Sequence, residues 1–529
     1  MMATLQLYQQ RALVIQGSEQ ELEQARVLNP EGRIDLGDNT VAYKWNYYNA
    51  ALLAFANLPA VSPIYRDYNW PGPSDFRPYQ HQIVCADFLC LRKKAYCFAG
   101  TGTGKTAIGI WAAHYLYTLG LVKKILVLCP SSVLLDAWQP TAAKLLFGVA
   151  DFTVIEGSVK KKQEQVASDA PFHITNYEAL KGLHKEFIQN NYDLIILDES
   201  TKIKNRETDL WTLVYPLVRN AMYAWQMTGT PTPMGPKDAF GQICMFDGFG
   251  NTVPNIYWWE NLTTWKVNEF KRLPLEGWQD TVAKYMKPAI RIRTRDCIDL
   301  PPIVYESRYL PLTSVQNAAI KMLRIQQTVN LAGEDITGDN QAILLNKVVQ
   351  ICCGAVLSEN GEVVEMKPTK RLNECLEIIH SEEGKVLIFA PFRAAVDMIA
   401  RYLRLKNIAV GVIHGGISKT ARQKIFDSFQ DDLKGQMQVI VGVPSAFAHG
   451  VTLTAASHTI WFAPYSSTEV YLQANARMER NGQTHHMTVT EIWGDQREKQ
   501  LYDITAGRAD AQLTLLDIYR SLLKDNQGD

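Results

Sequence analysis

The run "AGTGTGKT" (99–106) sets Gly100, Gly102 and Gly104 between an apolar strand candidate and a helix candidate. Glycines at that spacing let backbone N–H groups approach a phosphate with no Cβ in the way. The pattern predicts a nucleotide-binding loop in which Thr101 and Thr103 fill the turn and Lys105 reaches the β- and γ-phosphates of ATP. The Thr106 hydroxyl then serves Mg2+. The helix that follows turns its positive N-terminal end toward the same anion. Ala99 departs from the usual pattern, which has glycine there.

Two further groups match that chemistry. "YDLIILDES" is an apolar strand delivering Asp198 and Glu199 together. At the carboxyl end of a sheet, one of the two would hold Mg2+ and the other would polarise the attacking water. Far downstream, "QANARMERNGQ" carries Gln473, Arg477 and Arg480. Their spacing predicts one helical stretch with both arginines on one face, aimed at the γ-phosphate.

These residues need elements to position them. From about 76 to 290, short β-rich runs ("AYCFAG", "KKILVLCP", "FHITNY", "YDLIILDE", "AWQMTGTP") alternate with helical segments, the signature of a parallel sheet with crossover helices. A second set follows from about 371 to 495 ("KVLIFAP", "IAVGVIHG", "MQVIVGV", "HTIWFAP", "HMTVTEIW"). The expected organisation is a small α/β accessory module over 1–75, a first lobe over 76–290 and a mainly helical linker over 291–370. A second lobe over 371–500 and a bracing helix with a polar tail over 501–529 complete it. Ser18 and Glu21 make a capping box before the helix "EQELEQARVL", and "WPGPSDFRP" is a breaker at the first boundary.

Composition narrows the partners. A hydrophobic fraction of 47% with 20% charged residues suits packed globular lobes and excludes a disordered or fibrous chain. Lys+Arg and Asp+Glu both number 54, so any nucleic acid must be held in local grooves rather than by a global basic field. The nine cysteines show neither C-x-x-C pairs nor histidines at metal-ligand spacing, and read as reduced, buried residues. The longest apolar runs are strand length, so no membrane partner is expected. The opening residues do not read as a signal peptide, and a bacterial or phage-type cytoplasmic protein, most simply a monomer, is expected.

The order "RPYQ", "AGTGTGKT", "LCPSSVLLDAW", "ITNYE", "LDESTKIKN", "MTGTP", "KVLIFAPF", "HGGISKTARQ", "HGVTLTAAS" and "QANARMERNGQ" resembles the Swi/Snf-like branch of superfamily 2 helicases, over residues 76 to about 495. The resemblance implies an α/β fold of two tandem RecA-like parallel-sheet lobes, with ATP bound between them and a DNA track across both. It implies that Gln80 recognises adenine beside Arg77, and that Thr228, Gly229 and Thr230 couple hydrolysis to the DNA face. Arg477 and Arg480 act as arginine fingers, with Gln473 alongside. The DNA-facing set it implies is Ser131, Trp138 and Asn176 in the first lobe, and Phe392, Arg393, His414, Gly415, Arg422, Gly450 and Thr452 in the second. "DEST" stands where the branch often has "DEAH", which leaves Thr201 as a candidate for the histidine's coupling role.

Residues 29–59 are similar in pattern to the small HARP-type domain of annealing helicases, which recognises branched DNA. In that reading "AYKWNYY" stacks on a junction through Trp45, Tyr47 or Tyr48; the same residues also suit an ordinary core. Of the basic runs, "RIRTRDCIDLPP" falls between the lobes, where the branch has basic residues. The expected activity is an ATP-driven motor on duplex, forked or branched DNA, serving fork remodelling, annealing or branch migration in repair or recombination. The motor subunit of a restriction or anti-phage complex and a non-hydrolysing DNA-binding scaffold are the alternatives.

Overall fold

A computed structural model describes residues 3–28, 33–247, 252–268, 271–297, 300–330, 338–357, 362–431, 437–447, 451–480 and 482–507. The chain divides into two compact units, Met1–Cys297 and Ile298–Asp529. No helix among the described residues is long and apolar enough to cross a membrane.

The first unit opens with an antiparallel sheet of β1 (Thr4–Tyr8), β2 (Ala12–Gln16), β3 (Arg33–Gly37) and β4 (Thr40–Lys44), in the order β1-β2-β4-β3. The helix Glu19–Leu28 starts at the expected box: Ser18 N–H donates to Glu21 Oε2 (2.8 Å) and Glu21 N–H to Ser18 Oγ (3.4 Å). The helix Tyr47–Phe55 follows β4. This module has no core of its own. Leu13, Ile15, Val41, Tyr43 and Trp45 pack in one cluster with Cys85, Ala86 and Leu89 of the helix Gln80–Cys90 and Ile108 and Trp111 of the helix Lys105–Thr118. Trp45 Nε1–H donates to Val61 O (2.8 Å), Tyr47 OH to Cys90 O (2.7 Å) and Trp111 Nε1–H to Pro71 O (3.0 Å).

The large sheet of this unit contains β5 (Lys94–Ala99), β6 (Ile125–Cys129), β7 (Phe152–Ile155), β8 (Phe172–Asn176), β9 (Leu194–Asp198) and β10 (Tyr223–Met227). After the hairpin β11 (Thr264–Asn268) and β12 (Lys271–Pro274), β13 (Ala289–Ile292) returns to its edge. The order is β13-β5-β10-β9-β6-β8-β7, with every pairing parallel. Both faces are covered, so the strands read as continuous apolar runs. On β5, Ala95, Cys97 and Ala99 face one core while Tyr96 and Phe98 face the other.

In the second unit, β14 (Ile303–Tyr309), β17 (Lys385–Phe389), β18 (Val410–Ile413), β19 (Val439–Gly442), β20 (Ala456–Trp461) and β21 (Met487–Trp493) form a parallel sheet in the order β14-β21-β20-β17-β19-β18. A small hairpin, β15 (Ala355–Leu357) with β16 (Val363–Glu365), lies apart from it. The stretch expected to be a mainly helical linker over 291–370 therefore differs at its N-terminal edge. β13 belongs to the first sheet and β14 to the second, while the helices Ser314–Asn330 and Gly338–Cys353 fill the middle. β13 is exposed at Ala289 and Arg291 and β14 at Val304, Tyr305, Ser307 and Tyr309, which weakens their apolar signal. Of the bracing helix and tail expected over 501–529, the first residues end the helix Gln496–Thr505, and 508–529 lie outside the described residues.

A buried ion pair ties the second unit together. Arg371 and Glu498 are almost fully buried and paired through both guanidinium nitrogens. Arg371 Nη1–H also donates to Phe462 O (2.9 Å), and Gly494 N–H donates to Glu498 Oε2 (2.9 Å).

Candidate nucleotide-binding and hydrolysis site

Strands β5, β10 and β9 are neighbours, so their carboxyl ends bring "AGTGTGKT", "TGTP" and Asp198–Glu199 to one edge of the sheet. Lys105 opens the 14-residue helix behind the loop, and its Nζ donates to Ala99 O (2.9 Å) and Gly100 O (3.3 Å). Thr103 Oγ1–H closes the turn on Gly100 O (2.7 Å).

The loop is braced from outside by two elements. His81 Nε2–H and Gln82 Nε2–H donate to Thr103 O at 3.0 and 3.1 Å. Gln82 Oε1 in turn accepts from Tyr79 N–H (3.0 Å). On the other side, Gly100 N–H donates to Ile292 O (2.9 Å) and Thr294 Oγ1–H to Thr101 O (2.8 Å). A Cβ on Gly100 would lie 2.4 Å from Thr294 Oγ1, and one on Gly104 (φ +80°) would lie 2.2 Å from Gln82 Nε2. The braces thus exclude side chains at both positions, beyond what the phosphate requires.

The expected base-reading pair, Arg77 and Gln80, is exposed. Gln80 starts its helix; the loop is gripped by His81 and Gln82, which sequence reasoning missed although they stand beside Gln80 in "RPYQHQ". Thr294 was also missed. Removing its hydroxyl by Thr294→Val should raise the KM for ATP about three- to tenfold, the worth of one hydrogen bond, with kcat nearly unchanged and Thr294→Ser restoring it. Steady-state kinetics over an ATP series checks this.

The acids stand at the end of β9, every residue of which is buried. Asp198 Oδ1 accepts from Glu199 N–H (3.1 Å) and Oδ2 from Trp138 Nε1–H (2.7 Å). Burial, reinforced by the Glu199 charge and opposed by Lys105, pushes the Asp198 carboxyl up to about 6. Glu199 sits in the left-handed region (φ 52°), a strained position for a non-glycine residue and one that recurs at active sites. Its Oε1 accepts from Thr228 Oγ1–H (2.9 Å), and Thr228 Oγ1 accepts from Thr230 N–H (3.3 Å). A Cβ on Gly229 would lie 3.5 Å from Ala99 O, so the "TGT" turn runs against the phosphate loop itself. Thr201 is buried one residue past Ser200, whose Oγ–H donates to Gln242 Oε1 (2.9 Å).

This donor set suits Mg2+ shared with nucleotide phosphates. Asp198 offers a buried carboxylate beside Lys105, Thr106 is half-buried at the helix start, and no group of three or more His, Cys, Asp or Glu among the described residues would hold a metal by itself.

In the second unit the helix Thr468–Asn475 stops before the arginines. Arg477 and Arg480 lie in the turns after it, which corrects the expected shared helical face. Arg477 Nε–H donates to Gln473 O (2.9 Å) and Nη1–H to Val451 O (3.2 Å). Arg480 Nη1–H donates to Thr452 Oγ1 (2.8 Å), and burial pulls its guanidinium down to about 10. Gln473 Nε2–H donates to Glu469 Oε1 (3.1 Å). Arg480 and the expected DNA contact Thr452 thus share one spot.

The remaining DNA-facing expectations divide. Ser131, Arg393 and Gly415 are exposed, and Asn176, Phe392 and Arg422 are half-buried. Asn176 Oδ1 accepts from Ala179 N–H (2.9 Å). His414 is buried, its Nδ1 accepting from Gly416 N–H (3.1 Å). Gly450 lies outside the described residues. Trp138 is fully buried on Asp198 and is corrected: it cannot face DNA from there.

A family model for SNF2-related domains matches residues 45–354, and one for the helicase conserved C-terminal domain matches 369–482. The chain belongs to the SNF2-related family. It is accordingly an ATPase of the helicase type, with two tandem RecA-like lobes. The SNF2-related chain is similar to "Putative protein p41" of Acyrthosiphon pisum secondary endosymbiont phage 1, 23% identical over 85% of this chain and 98% of the relative. It is also similar to "Uncharacterized ATP-dependent helicase YqhH" of Bacillus subtilis, 21% identical over 73% and 70% of the two chains. Against the SWI/SNF-related matrix-associated actin-dependent regulator of chromatin subfamily A-like protein 1 of Xenopus tropicalis, it is 24% identical over 79% of its length but spans only 42% of that protein. Among solved structures, the Sulfolobus solfataricus SWI2/SNF2 ATPase core in complex with dsDNA is 21% identical, covers 85% of this chain and 93% of its own, and superposes with a TM-score of 0.40.

Proposed function

We propose that this SNF2-related ATPase is a DNA-stimulated translocase acting on duplex, forked or branched DNA, with fork remodelling, annealing or branch migration as its output. The observation that carries the reading is the hydrogen bond from Thr228 to Glu199, 2.9 Å, between the ends of the neighbouring strands β10 and β9, β10 being paired with the strand that leads into the phosphate loop. It ties the water-activating acid to the "TGT" turn, so a shift of that turn changes the acid's aim.

In this mechanism the loop N–H groups and Lys105 hold the triphosphate, and Asp198 with Thr106 hold Mg2+, which supplies Lewis-acid charge neutralisation when bound. Glu199 orients the water and accepts its proton. Arg477 and Arg480 act as fingers that stabilise charge on the transferring phosphoryl group. Arg77 and Gln80 read the base. Ser131, Asn176, Phe392, Arg393, His414, Gly415, Arg422, Gly450 and Thr452 line the track, and binding is largely sequence-independent and salt-sensitive.

ATPase rates with no DNA and with single-stranded, duplex, forked and four-way DNA test the reading. Stimulation by structures containing duplex is expected; no stimulation by any DNA sinks it. The N-terminal module is proposed as a branched-DNA reader on narrower ground than its aromatic run suggested. Trp45 is buried and Tyr47 bonds into the core, leaving Tyr48, 63% exposed, as the aromatic available for stacking. Because the module shares its core with the first lobe, Tyr48→Ala rather than truncation is the variant to compare on forked and plain duplex.

A further inference from the structure

Trp138 occupies a position that neither a DNA contact nor simple core filling accounts for. The block that begins at exposed Ser131 runs through a short helix (Ser131–Val133) into a π-helical turn (Leu134–Trp138), and only then into the helix Gln139–Leu146. The cause is local. Pro140 has no N–H to donate, and its ring would clash with the carbonyl four residues back, so the chain widens and Gln139 N–H bonds to Leu134 O instead. The widened turn delivers the Trp138 indole into the interior, where its Nε1–H donates to Asp198 Oδ2 at 2.7 Å.

The ring meets more than the carboxylate. A Cβ on Gly109, in the phosphate-loop helix, would lie 3.3 Å from Trp138 Cη2 and 3.3 Å from the Met227 sulfur. Met227 is the residue before Thr228. One buried indole therefore touches the helix behind the phosphate loop, lies beside the end of β10 that leads into the "TGT" turn, and fixes one oxygen of the carboxylate. Tyr177 OH–Asp198 O (2.9 Å) and Glu199 N–H hold the acid's backbone and other oxygen, so the indole is the side chain that sets its rotation.

We infer that Trp138 is a positioning residue for the Mg2+-holding carboxylate of Asp198, and that through the π-helical turn 134–138 it links the segment beginning at Ser131 to that carboxylate. This rests on the translocase reading for the meaning of the Ser131 end, but not for the Mg2+ end. A charge-assisted hydrogen bond in a buried site constrains one oxygen and leaves the other lone pairs for the metal. Losing it leaves the carboxylate held at Oδ1 alone, by the Glu199 N–H, and the cost falls on Mg2+ rather than on the nucleotide.

The test compares the wild-type chain with Trp138→Phe, which keeps an aromatic ring and removes the N–H. ADP affinity is measured by titration calorimetry with Mg2+ and with EDTA, and duplex affinity by fluorescence anisotropy. The expected result is that the Mg2+-dependent gain in ADP affinity shrinks about tenfold, while ADP affinity in EDTA and duplex affinity stay within about twofold. DNA stimulation of turnover falls in parallel. An undiminished Mg2+ gain overturns the inference; so does an equal loss with and without Mg2+, the mark of a packing role alone. Should Trp138→Phe fail to fold, 3-benzothienylalanine at position 138, which replaces N–H by sulfur in a ring of the same shape, is read against the same outcomes. A wild-type chain that DNA does not stimulate defeats the translocase reading and leaves the Mg2+ measurement standing.

Discussion

Glu199→Gln leaves a protein that binds ATP and DNA as the parent does and turns over about 10²–10⁴ times more slowly, the usual worth of a general base. The amide oxygen still accepts from Thr228 Oγ1–H, so the turn at 228–230 keeps its anchor and the left-handed backbone at 199 is undisturbed. What disappears is the negative charge that, in the proposed mechanism, takes the water's proton. Single-turnover hydrolysis alongside an ATP-binding titration separates the two. Turnover above a tenth of the parent rate would assign water activation to another group, with Asp198 the nearest carboxylate.

Glu498→Ala produces the largest stability loss expected in the second unit, about 3–5 kcal/mol, because it strands the Arg371 guanidinium in a buried site with Phe462 O as its remaining named partner. A domain's whole stability is about 5–15 kcal/mol, so this unit would lie near its threshold. Amide hydrogen exchange over β17, β20 and β21 reports the loss locally, without assuming two-state unfolding of the whole chain. Replacing both partners by apolar residues, Arg371→Met with Glu498→Leu, should recover most of it, since no charge is then left unpaired. If the double variant is as unstable as the single one, the pair matters through packing rather than charge.

The placement of the glycine-rich loop and the paired acids, and both parallel sheets, were legible because their signals are local. A glycine-rich turn, an apolar strand ending in two acids and alternating β-rich and helical runs each occupy a few neighbouring residues. What escaped was set by tertiary contact or by a local irregularity. Thr294 grips Thr101 from 193 residues away, with nothing in either neighbourhood to pair them. Trp138 was assigned to the wrong side because one extra residue in a helical turn rotates everything after it by about 100°; Pro140 was the available clue. Arg477 and Arg480 were placed on a helix that ends at Asn475. In the N-terminal module the strand, box and helix were read correctly, but alternation alone could not say which face of Trp45 and Tyr47 met a core, nor that the core belonged partly to another domain.

That shared core has a consequence for how the chain is made. Residues 1–75 leave the ribosome before the helices Gln80–Cys90 and Lys105–Thr118 that complete their packing exist. At about 5–20 residues per second, the wait from residue 75 to residue 118 lasts about 2–9 s. During it Leu13, Ile15, Tyr43 and Trp45 lack the partners that later bury them, and the edge strands β1 and β3 are open to pairing with other chains. Synonymous codon choice or a holding chaperone over this interval would then govern yield of the active enzyme, with no change in any residue of the site.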